Sequence, residues 1–233
     1  MNTNSSSASR RDFVSNVGRA ASLTALAACV PQRVQSPAMA ATPRAGAKGW
    51  DLSWIKRVER ASDRAVFDWP SLGDPADPIV LELAERYLDN CDAVYEPKSF
   101  DTCVVLNVRT QAVPAALVDD LWERYSLGSE YNVKDPTTEQ PAKRNPFMYR
   151  AASPAPGIVM PTLGGLVDRG AIVLVCDFAL GHLSNRLANK HGKSSDLIHR
   201  ELRDGLVAGS FAVPSGIFGL ARSQNSGCAF IRM

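Results

Sequence analysis

The sequence predicts a three-layer α/β/α fold around a mainly parallel sheet of about five strands. Short apolar runs without polar alternation, such as residues 102–108 and 171–175, are typical of parallel strands that are covered on both faces. Helical patterns separate most of these runs, which gives the order β-α-β-α-loop-α-β-α-α-β-α-β. That order requires crossover connections and therefore places helices on both sides of the sheet.

The first half of the chain supplies two of the strands. An amphipathic opening at residues 50–58 precedes a first strand at residues 65–68. Asp77 as the N-cap and Pro78 at the first helical position predict a helix that ends near Asn90.

The second strand, residues 102–108, is followed by a predicted helix at residues 114–125 that Gly128 terminates. Residues 129–161 contain six prolines and no clear periodicity, which predicts a long loop. Loops of this length are usually functional or partly disordered.

The C-terminal third alternates helix and strand. Its third strand is expected at the centre of the sheet. Gly192 is expected to close the long helix that follows. The predicted elements are a helix at 162–168, a strand at 171–175, helices at 178–190 and 194–206, a strand at 211–214, a helix at 215–223, a turn at Gly227 and a strand at 228–231.

The composition is that of one soluble globular domain, with 233 residues of which 45% are hydrophobic and 21% charged. Lys and Arg number 26 against 24 Asp and Glu, but four of the basic residues lie among the first 40 residues with one acidic residue. The remainder carries 22 basic and 23 acidic residues. This near-neutral balance argues against nucleic acid as a partner, because phosphate binding needs a clustered basic surface.

The N-terminus resembles a twin-arginine export signal. The stretch Ser9-Arg10-Arg11-Asp12-Phe13-Val14 fits the pattern Ser/Thr-Arg-Arg-x-Phe plus an apolar residue, and residues 17–30 form a weakly apolar, Ala-rich segment. A membrane-spanning helix needs about 20 apolar residues in sequence, and this segment is interrupted well short of that. We expect residues 1–40 to be a signal read by the twin-arginine translocase, residues 41–49 a linker, and residues 50–233 one folded domain.

Two routes of processing stay open. Ala38-Met39-Ala40 is an A-x-A site, and cleavage after Ala40 would release a soluble protein. Leu26-Ala27-Ala28-Cys29 resembles a lipobox, which would make Cys29 a lipid-anchored N-terminus. Both routes predict a periplasmic or other extracytoplasmic location.

Cys176 is the candidate catalytic residue. It ends an apolar run of strand length and precedes a helical pattern, so it is predicted to lie where a strand becomes a helix. Ligands and reactive groups collect at this edge of an open α/β sheet, because strands end together there and helix N-termini direct N–H groups into the crevice. A thiol there gains thiolate character. Free cysteine is also among the most buried residue types, so a packing role is the alternative.

Polar residues that follow three of the predicted strands complete the candidate site. The carboxyl ends of parallel strands share one edge, so these residues are expected to converge with Cys176 on one crevice. Arg109 and the N–H groups of the helix that begins at Ser215 would bind an anionic group there. A simple helix cap is the alternative for Ser215 and for Asp177. The ligand-binding candidates are Arg109, Thr110, Gln111, Asp177, Ser215 and Gly216.

The sequence predicts neither a metal site nor a cofactor. The three histidines form no H-x-x-x-H or H-E-x-x-H spacing, and no C-x-x-C pair occurs. The Gly-rich phosphate loop, the nucleophile elbow and the dinucleotide fingerprint are missing as well. Cys91, Cys103 and Cys228 would be free to form a disulfide in an oxidising compartment, but Cys103 and Cys228 lie in predicted strands, where packing is favoured.

A combination of motifs marks the C-terminal third. A strand ends in Val175-Cys176, and the chain continues with Val213-Pro214-Ser215-Gly216-Ile217-Phe218, Arg222-Ser223-Gln224 and Gly227-Cys228-Ala229-Phe230-Ile231. This combination resembles the DsrE/DsrF-like (YchN-like) family, in which many members share Val-Pro-Ser-Gly, Arg-x-Gln and a final glycine before a short aromatic strand. The resemblance covers residues 102–233, is strongest after Gly170, and is closest to an exported branch with twin-arginine signals.

The resemblance implies a compact α/β/α fold with a five-stranded sheet, assembled as a trimer or hexamer. Some members of the family relay sulfur as a persulfide on a strand-end cysteine, and Cys176 falls at that position. Two departures are present: Thr110 stands where the exported branch is expected to have a histidine, and sulfur relay is a cytoplasmic task.

Two functions are therefore open. One is an exported carrier of a thiol or persulfide, sulfurtransferase-like if it is an enzyme, that binds a small anionic ligand or a thiol partner. The other is a non-catalytic periplasmic subunit for binding or for oligomeric assembly.

Overall fold

The computed structural model describes residues 49–95, 101–149 and 160–232, which belong to one compact unit, Ala45–Met233. The predicted export signal, nearly all of the predicted linker, Cys29 and the cleavage site after Ala40 lie outside the described residues. Within the three ranges, every helix is too short or too polar to cross a bilayer.

Five strands form one sheet in which every pairing is parallel. The spatial order is β4-β3-β2-β1-β5, so the chain steps outward from β1 to β4 and then returns to the other side of β1. The predicted fold class is confirmed, but the predicted central position of the third strand is wrong, because β2 lies at the centre. The strands are β1 (Asp63–Trp69), β2 (Thr102–Val108), β3 (Ile172–Cys176), β4 (Ser210–Val213) and β5 (Ala229–Ile231).

The helices cover both faces of the sheet. Crossovers between parallel strands are right-handed, so the steps from β1 to β4 place their helices on one face of the sheet. The return to β5 places α8 (Gly216–Asn225) on the other face, where α1 (Ser53–Arg60) joins it. In the described part of the chain the helices are α1 (Ser53–Arg60), α2 (Ile79–Val94), a 3₁₀ helix (Thr110–Ala116), α3 (Asp119–Arg124), α4 (Leu127–Glu130), α5 (Leu163–Asp168), α6 (Asp177–His191), α7 (Ser195–Asp204) and α8 (Gly216–Asn225).

The core divides into two clusters because successive side chains of a strand point to opposite faces. Phe67 and Leu106 belong to the larger cluster under α2, α6 and α7, whereas Val66 and Val105 belong to the smaller one under α1 and α8. Both faces are buried, which explains why the strands read as continuous apolar runs.

The predicted helix over residues 114–125 is wrong. Thr110–Ala116 forms the 3₁₀ helix, the chain is then extended, and α3 starts only at Asp119. Leu117 bridges to Leu206 and the Val118 N–H donates to the Gly205 carbonyl at 3.0 Å, so tertiary pairing overrides the helical pattern. Pro114, which has no N–H to donate, lies inside the 3₁₀ helix.

The predicted end of that helix also differs. Gly128 does not terminate a helix but lies buried in α4, where an added Cβ would approach the backbone of Ala142 to 2.3 Å. The helix expected to start with Asp77 as N-cap and to end near Asn90 has Pro78 at its N-cap and extends to Val94. Gly192 closes α6 in the left-handed conformation, with φ of 64°, as predicted.

Candidate functional site

The carboxyl edge of the sheet gathers several of the candidate residues. Val108 of β2 pairs with Val175 of β3, so Arg109 and Cys176 follow neighbouring strand positions. Cys176 in turn pairs with Val213, the last residue of β4, and α8 begins shortly after it. The ends of β2, β3 and β4 and the starts of two helices therefore meet at this edge.

Cys176 lies at the junction that its sequence context predicts. It ends β3 and is the N-cap of α6, and its Sγ accepts a hydrogen bond from the Ala179 N–H at 3.4 Å. The residue is only 5% exposed. The first N–H groups of a helix carry partial positive charge, and the Sγ of Cys176 contacts one of them.

Arg109 forms a bidentate ion pair with Asp68 of β1. Its Nε donates to Oδ1 and its Nη2 to Oδ2, each at 2.7 Å. The pKa of Arg109 lies above its usual value, first because Asp68 accepts these hydrogen bonds and also because charge on Cys176 would attract the guanidinium. No described residue accepts a hydrogen bond from Nη1 of Arg109.

Asn107 pairs with Asp68 in the register of β2 against β1 and also contacts its carboxylate. Its Nδ2 donates to Oδ1 of Asp68 at 3.3 Å, and the residue is fully buried. Its Oδ1 has no hydrogen-bond partner among the described residues, which is uncommon for a buried polar atom. Asp68 and Asn107 are not among the site residues predicted from the sequence. The signal that could have found them is a polar residue inside an otherwise apolar strand, since such residues need a partner.

Helix α8 closes over this network at very short range. A Cβ at Gly216 would lie 2.6 Å from Cβ of Arg109, and one at Gly219 would lie 2.4 Å from Oδ1 of Asn107. Ser215 caps the helix, because its Oγ accepts from the Phe218 N–H at 3.2 Å. Ser215 is therefore a helix cap, which was the alternative to a ligand-binding role for this residue. Gly216 packs directly on the side chain of Arg109.

The other three predicted site residues, Thr110, Gln111 and Asp177, lie at the periphery of this site. Thr110 and Gln111 are exposed and turn away from β2 toward Pro70, whose carbonyl accepts from the Gln111 N–H at 3.0 Å and from the Thr110 hydroxyl. Asp177 is the first residue of α6, and its carboxylate faces two side chains of α7. Its Oδ1 lies 3.0 Å from Nε2 of His199 and 3.5 Å from Nε of Arg203.

The remaining described cysteines are buried free thiols. Burial raises the pKa of Cys103 to about 11 and that of Cys228 to about 12, and burial also raises the pKa of Cys91. These three thiols are therefore protonated at neutral pH. In the ranges that the structure covers, no three His, Cys, Asp or Glu side chains are grouped so that they could hold a metal ion.

The fold and the site together define the class: an α/β/α protein with a thiol at the carboxyl edge of a parallel sheet, beside an arginine fixed by a buried carboxylate. Comparison with protein-family models gave no match, and comparison with curated proteins gave none. Among solved structures, the chain is similar to MTH1491, a protein of unknown function from Methanobacterium thermoautotrophicum. The two share 19% identity with a TM-score of 0.35, over 73% of this chain and 99% of the other.

Proposed function

We propose that the chain is an exported DsrE/DsrF-like protein that carries sulfur, or a thiol-reactive small molecule, on Cys176. The observation that supports this most is the environment of Sγ, which accepts the Ala179 N–H at the start of α6 and lies within electrostatic reach of Arg109. Both features stabilise an anion, and both a thiolate and a persulfide are anions.

The chemistry is a sulfur transfer without net oxidation. The Cys176 thiolate attacks the outer sulfur of a donor persulfide, R–S–SH. A new S–S bond forms between Cys176 and that outer sulfur, the S–S bond of the donor breaks, and R–S⁻ leaves with the electron pair. The same step in reverse delivers the sulfur to an acceptor thiolate. Arg109 compensates the negative charge of the Cys176 thiolate before transfer, and that of the outer sulfur once the persulfide has lost its proton.

The low exposure of Cys176 restricts the donor. With 5% of the residue exposed, a small thiol or persulfide has easier access than a thiol on the surface of another protein. The proposal therefore favours a small molecule as the sulfur donor.

The test is cysteine labelling of the folded full chain with iodoacetamide at neutral pH, followed by peptide mass spectrometry. Cys176 should be labelled first, and Cys103 is the matched internal control because it is similarly buried but its pKa is raised to about 11. Treatment with glutathione persulfide should add one sulfur atom to the peptide that contains Cys176 in the wild type and none to the same peptide of Cys176→Ser. If Cys176 is inert in the folded protein and labelled only after unfolding, the proposal fails.

The alternative function, a non-catalytic subunit for binding or assembly, has one observation in its favour. Phe178 is 65% exposed and Ile217 is 77% exposed, and both stand at helix starts beside the ends of β3 and β4. Exposed apolar groups of this size are favoured where a partner covers them. A trimer or hexamer that is unchanged in Cys176→Ser, together with an unreactive Cys176, would support this function.

Export is tested separately. Replacing both Arg10 and Arg11 with lysine should retain the protein in the cytoplasm if the twin-arginine translocase exports it. Intact mass of the protein from the cell envelope distinguishes cleavage after Ala40 from a lipid on Cys29.

A further inference from the structure

The two faces of the sheet carry helices of opposite charge. Helices α2 to α7 pack on the larger core cluster, and together they contain 13 acidic and six basic residues. Helices α1 and α8 pack on the smaller cluster and contain one acidic and four basic residues. The first group therefore has a net charge of minus seven and the second a net charge of plus three, with the sheet between them.

The basic side chains of α1 point to solvent. Trp54 and Val58 are buried against the sheet, and Lys56 and Arg60 each follow one of them by two residues, which is a rotation of about 200° around the helix axis. Lys56, Arg60 and the single acidic residue of this helix, Glu59, are exposed. Lys56 and Arg60 are four positions apart, and like charges at this spacing repel each other. An anion outside the helix would relieve that repulsion.

Exposed apolar side chains lie on the same face. Ile217, at the start of α8, is largely exposed. Phe230 of β5 pairs with Val66, which belongs to the smaller cluster, so its side chain points to the side of α8, and it is 41% exposed. Arg222 of α8 and Arg232 after β5 add positive charge around these two residues. Basic residues together with large apolar side chains are the combination by which peripheral proteins bind the surface of an anionic membrane.

The acidic side of a second copy of this chain is the other source of negative charge. The basic and acidic helices lie on opposite sides of the sheet, so a contact between them repeats in one direction and gives an open stack. Most soluble oligomers are closed instead. A lipid surface neutralises the basic face in a single contact, and it also accepts the apolar side chains.

We propose that the face formed by α1, α8 and β5, called here the α1/α8 face, binds a lipid surface that carries anionic phosphate headgroups. Lys56 and Arg60 contact the phosphates, and Ile217 and Phe230 enter the boundary between headgroups and acyl chains. This binding goes beyond the proposed function and does not depend on chemistry at Cys176.

The first measurement is flotation of the full chain with vesicles of equal parts phosphatidylglycerol and phosphatidylcholine at physiological ionic strength. Each Lys or Arg close to an anionic surface contributes about fivefold to binding, so Lys56→Glu with Arg60→Glu should lower the partition coefficient at least about tenfold. The matched control is Arg86→Glu with Arg200→Glu, which changes the net charge equally at exposed positions of α2 and α7. Its effect should be small, because charges far from the lipid are screened. Equal losses in both variants, or no loss in either, would overturn the proposal.

The second measurement identifies which side of the protein faces the lipid, so that binding through the predicted signal, residues 1–40, is recognised separately. Acetylation of lysines in the vesicle-bound chain should slow several-fold at Lys56 and stay unchanged at Lys190 and Lys193, which are exposed at and after the end of α6. Equal rates at Lys56 with and without vesicles would overturn the proposal. A salt-sensitive oligomer that forms without vesicles and is lost in Lys56→Glu with Arg60→Glu would assign the α1/α8 face to a second copy of the chain and overturn it as well.

Discussion

Gly219 of α8 lies directly against the side-chain amide of Asn107 in β2. A Cβ at position 219 would approach Oδ1 of Asn107 to 2.4 Å, and Leu174 and Val213 stand on either side at 3.4 and 3.5 Å. Asn107 is held in turn by its hydrogen bond to Asp68, so it has no room to retreat. The close approach of α8 to the sheet thus depends on a glycine at this position.

We expect Gly219→Ala to destabilise the fold by about 1–3 kcal/mol, because the added methyl group forces α8 or Asn107 to shift in a packed core. The matched control is Gly181→Ala in α6, where an added Cβ meets no atom within 4 Å. That substitution should stabilise the protein by about 0.5–1 kcal/mol, since alanine loses less conformational freedom in a helix. Urea unfolding measures both, and equal effects of the two substitutions would contradict the close approach.

Arg109 is expected to govern the reactivity of Cys176. Arg109→Gln removes the positive charge that attracts the thiolate, so the rate of iodoacetamide labelling of Cys176 at neutral pH should fall about tenfold. Arg109→Lys keeps the charge and loses the bidentate contact with Asp68, so most of the rate should remain.

The control for this series is Arg57→Gln. Arg57 is exposed in α1 and its charge acts on Cys103, so its loss should leave the labelling of Cys176 unchanged. Circular dichroism checks that each variant is folded, because Arg109→Gln leaves the buried Asp68 without its ion pair. If the labelling rate of Cys176 does not depend on the charge at position 109, Arg109 has no influence on the reactivity of the thiol.

The sequence predicts the strands well because burial on both faces leaves an unmixed apolar signature. The predicted bounds of β2, Thr102–Val108, are those of the structure, and the predicted bounds of the helix that Gly192 closes differ from the structure by one residue at each end. The helix predicted over residues 114–125 fails because Leu117 and Val118 are extended by pairing with Gly205 and Leu206, about 90 positions away in the chain. Local periodicity contains no information on such distant partners.

The site is predictable in part for the same reason. A parallel sheet brings its carboxyl ends together, so Arg109 and Cys176 could be placed at one edge from the strand ends alone. Asp68 and Asn107 could not be assigned as partners, since their contact depends on the register of β1 against β2. The short distance between Gly216 and Arg109 depends on the path of α8 across the sheet, which no local pattern specifies.

Tyr125 is expected to make stability depend on pH through Glu201. The Tyr125 hydroxyl donates to Oε2 of Glu201, and Arg124 Nη1 lies 3.2 Å from the same oxygen. The hydrogen bond from Tyr125 is the main reason why the pKa of Glu201 lies below its ordinary value of 4.5. A carboxyl group with a lowered pKa in the folded state stabilises the fold above the ordinary value, and that stabilisation is lost as the pH falls through the lowered pKa.

Tyr125→Phe should therefore cost about 1 kcal/mol at neutral pH, where Glu201 is ionised, and the difference from the wild type should shrink as the pH falls below 4.5. Tyr131→Phe is the matched control, because the Tyr131 hydroxyl accepts from Arg186 Nη2 at 2.6 Å and does not donate to a described carboxylate. Its effect should be the same at neutral and acidic pH. Urea unfolding across this range decides the matter: a Tyr125→Phe difference that stays constant as Glu201 is protonated would show that the hydroxyl stabilises the fold through some contact other than this carboxylate.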